Sequence, residues 1–127
     1  GQEAGLDKRL EFFEQDVINW DELPLENFYK KLLALKKNNK ALWNGEKGGD
    51  FNLLETTSEN DVFAFLREKE DNRIFVILNL SDKPQQFTLA KNAISDTFTE
   101  LFSDEQIEIN AEKEFSLEPW GYKVFVR

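Results

Sequence analysis

VFAFLREKEDNRIFVILNL, residues 62–80, decides the fold. Two runs rich in Phe, Val, Ile and Leu, residues 62–67 and 74–80, flank the charged connector Glu68-Lys69-Glu70-Asp71-Asn72-Arg73. Aromatic and β-branched residues suit a pleated, covered surface. Asp-Asn favours a turn because both side chains can bond the local backbone. The stretch therefore predicts a β-hairpin. Side chains alternate across a strand, so Val62, Ala64 and Leu66 fall on one face and Phe63 and Phe65 on the other. Ile74, Val76 and Leu78 oppose Phe75 and Ile77 in the same way. Apolar residues on both faces mark strands that are covered on both sides. A second β layer is one cover. The other is a helix of this chain or a domain outside it.

Downstream of the hairpin, residues 85–90, 97–102, 107–109, 113–117 and 121–126 read as further short strands, with FNLLET (residues 51–56) as one more upstream. Pro84 and Pro119 stand at strand entrances, where a missing donor is tolerated. Short strands joined by turns predict an antiparallel sandwich or barrel rather than a parallel sheet. Upstream lies a turn-rich joint, Asn44-Gly45 and Gly48-Gly49. Before it, PLENFYKKLLALKKN (residues 24–38) predicts an amphipathic helix whose stripe is Leu25, Phe28, Tyr29, Leu32, Leu33 and Leu35. Pro24 suits its first turn and Asn38-Asn39 a left-handed exit. Residues 1–23 show no clean period and read as an ordered loop, with a short turn of helix, pinned by its aromatics.

Composition narrows the chemistry. The chain has 127 residues, enough for one domain with a real core, and carries no Cys and no His. Thiol nucleophiles, disulfides, Cys/His zinc sites and imidazole bases are therefore excluded. A net charge of -9 speaks against nucleic acid and against an anionic membrane surface. No apolar run is long enough to span a bilayer. The chain contains no Met and so reads as a trimmed or excised piece.

Acidic pairs are common in such a chain and carry little weight. Glu11/Glu14 and Asp104/Glu105 have the chemistry of a general acid and base, but no nucleophile turn accompanies them. Asp71-Asn72 and Ser103-Asp104-Glu105 offer oxygens to Ca²⁺ but lack a spaced ligand loop, so they read as turn tips and no metal or cofactor is expected. Trp43, Trp120 and Tyr122 are candidate sugar-stacking groups, because an aromatic face meets the C–H face of a sugar and Trp adds a polar N–H. Trp20 belongs to the same set, and core packing is the alternative for each of them.

These motifs, in order, resemble the C-terminal portion of α-amylase-family glycoside hydrolases, family 13. Gly1-Gln2-Glu3 resembles the end of the eighth barrel strand, where a YxGQE run closes the (β/α)8 barrel, and LDKRLEFFEQDVINW (residues 6–20) the loop that follows. FYKKLLALKKNNKALWNG (residues 28–45) resembles the eighth barrel helix and its exit, FYKxLIxLRKxxPALxxG, with Lys40 at the usual Pro position. Residues 62–81 resemble the opening hairpin of the all-β C-terminal domain. LEPWGYKVFVR (residues 117–127) resembles its closing strand, LxPW/YGxxVF.

The resemblance implies a barrel remnant over residues 1–44 and an antiparallel β-sandwich over residues 45–127. It implies a parent enzyme that works at α-glucosidic bonds with retention, using a carboxylate nucleophile and a carboxylic acid/base. Those groups sit on barrel strands four, five and seven, so the chain itself is expected to be inactive, a structural accessory. Gln2 and Glu3 would lie at the rim of the parent's active face. The alternative is a carbohydrate-binding module that grips an α-glucan with Trp120, Tyr122 or Trp43. The helix stripe over residues 25–35 is expected to pack on the parent's barrel and, without it, to fold back on the β domain or pair with a second copy. A polysaccharide-degrading parent would be exported or surface-bound.

Overall fold

The computed structural model describes residues 1–91 and 93–127. Helix α1 spans Glu26–Asn38 and is followed by two single 3₁₀ turns, Lys40–Leu42 and Gly45–Lys47. Eight strands come next: β1 Asp50–Leu54, β2 Val62–Lys69, β3 Asn72–Asn79, β4 Gln85–Phe87, β5 Asp96–Glu100, β6 Gln106–Ile109, β7 Phe115–Leu117 and β8 Tyr122–Val126. Each of the eight expected strands forms. The fold is mainly β, as the resemblance implied. No described helix is long and apolar enough to cross a membrane.

The strands build a six-stranded antiparallel sheet in the order β1-β2-β3-β8-β5-β6 and a two-stranded sheet, β4-β7. The opening hairpin pairs Phe63 with Leu78 and Leu66 with Phe75. β8 then adds to the far side of β3, with Phe75 opposite Phe125. This register puts Val62, Ala64, Leu66, Phe75, Ile77 and Phe125 on one face. The small sheet closes over that face with Phe87, Phe115 and Leu117, and Leu89, Ile94, Phe98 and Ile109 complete the core. Phe75 stands at its centre, fully buried. Its ring stacks on Phe125 at 5.4 Å between centroids and meets Phe115 at 5.9 Å and Phe98 at 6.3 Å. One side chain of β3 thus touches β5, β7 and β8, and so both sheets.

The opposite face carries Ile74, Val76 and Val124, covered by Ala41 with Leu35, Leu42 and Phe102 around them. The cover expected from the two-faced hairpin is therefore the helical segment of this chain. Phe28 of α1 stacks on Phe102 at 5.5 Å and meets Tyr122 edge-on at 5.6 Å. Lys31 Nζ donates to the carbonyls of Leu101 (3.1 Å) and Phe102 (3.3 Å). Leu33, on the far side of the helix, stays 64% exposed. The stripe is split: part of it folds back on the sheet and part faces solvent.

The structure corrects several local expectations. Pro24 precedes α1 instead of opening it. Leu25 gives its N–H to Glu3 O at 3.1 Å and holds a non-helical conformation, so the helix starts at Glu26, two residues later than expected. Asn39 is extended, at φ -107° and ψ 117°, and not left-handed. Its side chain instead accepts the N–H of Ala41 at 3.0 Å and caps the first 3₁₀ turn. Residues 1–23 contain turns and no helix. Phe12 and Phe13 do not pin this segment, since they are 88% and 92% exposed and lean only on each other. What holds it is the Lys8–Asp16 ion pair, the Leu25–Glu3 bond, and Gly1, where an added Cβ would press on Ile18.

Arg127 is tied to β3 and β5, the two strands that flank β8. Arg73 and Arg127 exchange backbone bonds of 2.9 Å in both directions, and both guanidinium groups reach the Asp96 carboxylate. Partial burial pushes that carboxyl up, but the Thr97 N–H and the two cations outweigh it and hold Asp96 below the usual carboxylate range.

The keystone role of Phe75 has a measurable consequence. Phe75→Ala lowers unfolding free energy by about 3–5 kcal/mol. Phe12→Ala changes it by less than about 0.5 kcal/mol. Urea unfolding followed by far-UV circular dichroism measures both. A Phe75→Ala loss as small as that of Phe12→Ala would contradict this packing.

Candidate functional site

Trp120 is the most conspicuous side chain on the surface. Its turn is Glu118-Pro119-Trp120-Gly121, closed by a 2.8 Å bond from Gly121 N to Glu118 O. Proline second and a positive φ third match a type II turn. That third position favours Gly or Asn, yet it holds Trp at φ 58°. A left-handed conformation costs a residue with a Cβ about 1–2 kcal/mol. Gly121 is needed for a different reason: a Cβ there would meet Glu118 O at 2.7 Å. The indole is 65% exposed. Neither the turn nor the core therefore accounts for tryptophan at this position.

The platform beneath it is rigid. Asn79 is buried at the end of β3. Its amide donates to Lys83 O (2.7 Å) and Glu118 O (2.8 Å), and its side-chain oxygen accepts from Ser81 N (3.0 Å) and Ser81 Oγ (2.8 Å). Trp120 N then donates to Ser81 O at 3.0 Å. One buried amide thus fixes the loop after β3 against the turn that displays Trp120. Sequence reading passed over Asn79, although a single polar residue in the apolar run IFVILNL is the signal for such a role. It also passed over Glu100, a buried acid whose carboxylate accepts the N–H groups of Phe102 (3.0 Å) and Ser103 (2.7 Å).

The other aromatic candidates sit elsewhere or are already engaged. The indole N–H of Trp43 donates to Lys37 O at 3.2 Å, beside a shallow groove of about 310 Å³ with Leu33 and Lys36. Trp43 O lies within 3.5 Å of Arg67, which pairs with Ile74. Tyr122 pairs with Leu78, four residues further along β3. At ~3.3 Å per residue, the two aromatics mark ends of the sheet about 13 Å apart. Tyr122 leans on Phe28 and Phe102. Trp43 thus lies at a different end of the sheet from Tyr122 and Trp120.

Gln2 and Glu3 line a groove of about 280 Å³ with Trp20, Tyr29, Lys30 and Leu33. A hydrogen bond from its own backbone N–H holds the Glu3 carboxyl below its ordinary value, outweighing slight desolvation, and the Gly1 amino group adds to this. A general acid needs the opposite shift. Glu11 and Glu14 are exposed on the first loop, and Asp104 and Glu105 form the exposed turn between β5 and β6. Among the described residues, no three acids gather as a metal would require.

The architecture is an antiparallel β-sandwich led by one amphipathic helix. Residues 51–124 match the maltogenic amylase C-terminal domain family, and the chain belongs to that family. It is 28% identical over 120 residues to the α-glucosidase MAL32 of Saccharomyces cerevisiae, covering 91% of this chain and 19% of that protein. It is 38% identical over 61 residues to a glucan 1,6-α-glucosidase of Streptococcus pneumoniae, covering 48% of this chain and 10% of that one. The structure superposes on a maltogenic α-amylase, AmyB from Thermotoga neapolitana, with a TM-score of 0.77 over 100% of this chain and 31% of the other, at 15% identity. That last likeness shows the fold. The chain spans 19% of the α-glucosidase it matches.

If Trp120 serves neither turn nor core, Trp120→Asn leaves stability unchanged or raises it by up to about 1 kcal/mol, because the left-handed cost is relieved. Thermal unfolding of the two forms measures this. A loss above about 1 kcal/mol would show that the indole packs on the domain.

Proposed function

We propose that the chain is the non-catalytic C-terminal part of an α-amylase-family enzyme acting on α-glucosidic bonds, with residues 1–44 closing its barrel and residues 45–127 forming its accessory β domain. The match of residues 51–124 to the maltogenic amylase C-terminal domain family carries this reading. Two further observations support it. The relatives, by their names, are an α-glucosidase and a glucan 1,6-α-glucosidase, and the chain covers 19% of the first and 10% of the second. The chain also changes from helix to antiparallel strands at the Gly45–Lys47 turn, close to the proposed boundary.

The chemistry fits a division of labour. Retaining hydrolysis needs a carboxylate nucleophile about 5–5.5 Å from a carboxylic acid whose pKa is raised. Glu3, which lines a groove, is shifted down. The other candidate pairs, Glu11/Glu14 and Asp104/Glu105, lie on exposed loops. The reacting groups therefore belong to the larger part of the enzyme, and this domain contributes stability and shape.

The isolated chain releases no product from 4-nitrophenyl α-glucoside or maltooligosaccharides, whereas the polypeptide of the complete reading frame does. A colorimetric assay and product chromatography check this. Turnover by the isolated chain, or a reading frame without a larger barrel domain, would overturn the reading.

A further inference from the structure

The joint between the helical segment and the β domain carries the one Asn-Gly step of the sequence, Asn44-Gly45. Both residues are exposed. Asn44 stands just before the second 3₁₀ turn, at φ -90° and ψ 151°, and its side chain makes no capping bond there. An asparagine in that position ordinarily accepts a backbone N–H of the turn. Here its oxygen, Oδ1, accepts instead from Lys36 Nζ at 2.8 Å. The same ammonium donates to Leu42 O, also at 2.8 Å. Lys36 lies in the last turn of α1, and the indole of Trp43 is tied to the same helix end through Lys37 O at 3.2 Å. The cation is therefore held in place by one carbonyl and aimed at the side-chain amide of Asn44.

Gly45 supplies a nucleophile. Its backbone nitrogen follows Asn44 directly, and attack on Asn44 Cγ closes a succinimide ring. The attack needs ψ of Asn44 to rotate from 151° until that nitrogen faces Cγ. The exposed turn leaves room for this, because a Cβ built on Gly45 would meet nothing within 4 Å. Gly45 sits at φ 60°, and only glycine moves freely between that region and its neighbours. As the new bond forms, negative charge develops on Oδ1, the atom that Lys36 already holds. A donor fixed where charge develops lowers the barrier. A charged donor does so more strongly than a neutral one.

We propose that Asn44-Gly45 is a self-modification site at the joint, with Lys36 as its oxyanion donor. The Gly45 nitrogen gives its proton to water and bonds to Asn44 Cγ. Nδ2 takes up a proton as the Cγ–Nδ2 bond breaks, and ammonia leaves. Water then opens the succinimide at either carbonyl, to aspartate or to isoaspartate. The aspartate product places a carboxylate on Lys36, so an ion pair replaces the present bond and the fold is kept. The isoaspartate product runs the main chain through Cγ and adds a carbon between Trp43 and Gly45. The backbone that follows is closely packed. Gly48 N bonds Gly45 O and Gly49 N bonds Ala41 O, each at 3.0 Å, and a Cβ on Gly48 would lie 1.9 Å from Trp43 O. The added carbon therefore loosens the seat of Ala41 against Ile74, Val76 and Val124.

The test incubates the folded chain at mildly alkaline pH and body temperature and samples it over days. Trypsin then releases residues 41–47, bounded by Lys40 and Lys47, and mass spectrometry follows conversion of their amide to an acid. This peptide converts, while those that carry the other asparagines do not. Lys36→Met slows the conversion at least ~3-fold, and Lys36→Arg, which keeps a charged donor, holds it within about 2-fold of the original. In urea all three forms react at one rate, and circular dichroism shows the same fold for each without urea. Chain enriched in isoaspartate, as labelled by an isoaspartyl methyltransferase, unfolds a few degrees lower. Asn44 that stays unconverted in the folded chain while a synthetic peptide of residues 41–47 reacts overturns the proposal. Equal or faster conversion after Lys36→Met assigns the reaction to the Asn-Gly step alone and overturns the role of Lys36. An unchanged midpoint for the isoaspartate form overturns the effect on the joint.

Discussion

The structure depends on the packing around Phe75. This ring is the point at which the central strand of the large sheet meets Phe98, Phe115 and Phe125, which belong to three other strands. The two-stranded sheet of Gln85–Phe87 and Phe115–Leu117 is too short to stand alone. It exists because Phe87 and Phe115, 5.6 Å apart and stacked, close over that centre. Burying such rings is worth more than any ion pair on this surface. Polar devices then refine the ends. Asn79 fixes the Trp120 turn, Glu100 caps the β5–β6 turn, and Asp96 ties in the C-terminus.

A sheet this apolar has two faces to cover, and the chain covers one and a half of them. The sandwich face is complete. The other carries Ala41, Leu35 and Phe28 from the helical segment over part of its width. Phe51, Leu53 and Phe63 stay exposed on the remainder of that face.

Much of this was legible in the sequence. The alternating pattern of residues 62–80 predicted the hairpin and its two covered faces. Spacing alone also placed the helix and all eight strands, because β-branched and aromatic runs broken by turn residues leave little choice. The misreadings share a cause. Pro24 and Asn39 have clear local preferences, but a backbone bond from Leu25 to Glu3 and a side-chain bond from Asn39 to Ala41 decided their geometry. Phe12 and Phe13 looked like anchors because large apolar residues usually are, and only the packing shows that they stay exposed. The aromatic candidates could not be separated by residue type. Trp43 spends its N–H on Lys37 O and Tyr122 leans on Phe28, whereas Trp120 is free because its turn faces outward. Asn79 was missed because a residue that organises two loops needs both loops in view.

The central claim is that the face of the large sheet that carries Phe75 is the domain's own core, closed by the two-stranded sheet. Hydroxyl-radical footprinting of the chain tests this directly. The account predicts that Phe51, Phe63 and Trp120 oxidise rapidly and Phe75 and Phe125 slowly. Oxidation of Phe75 as fast as that of Phe51 would contradict it.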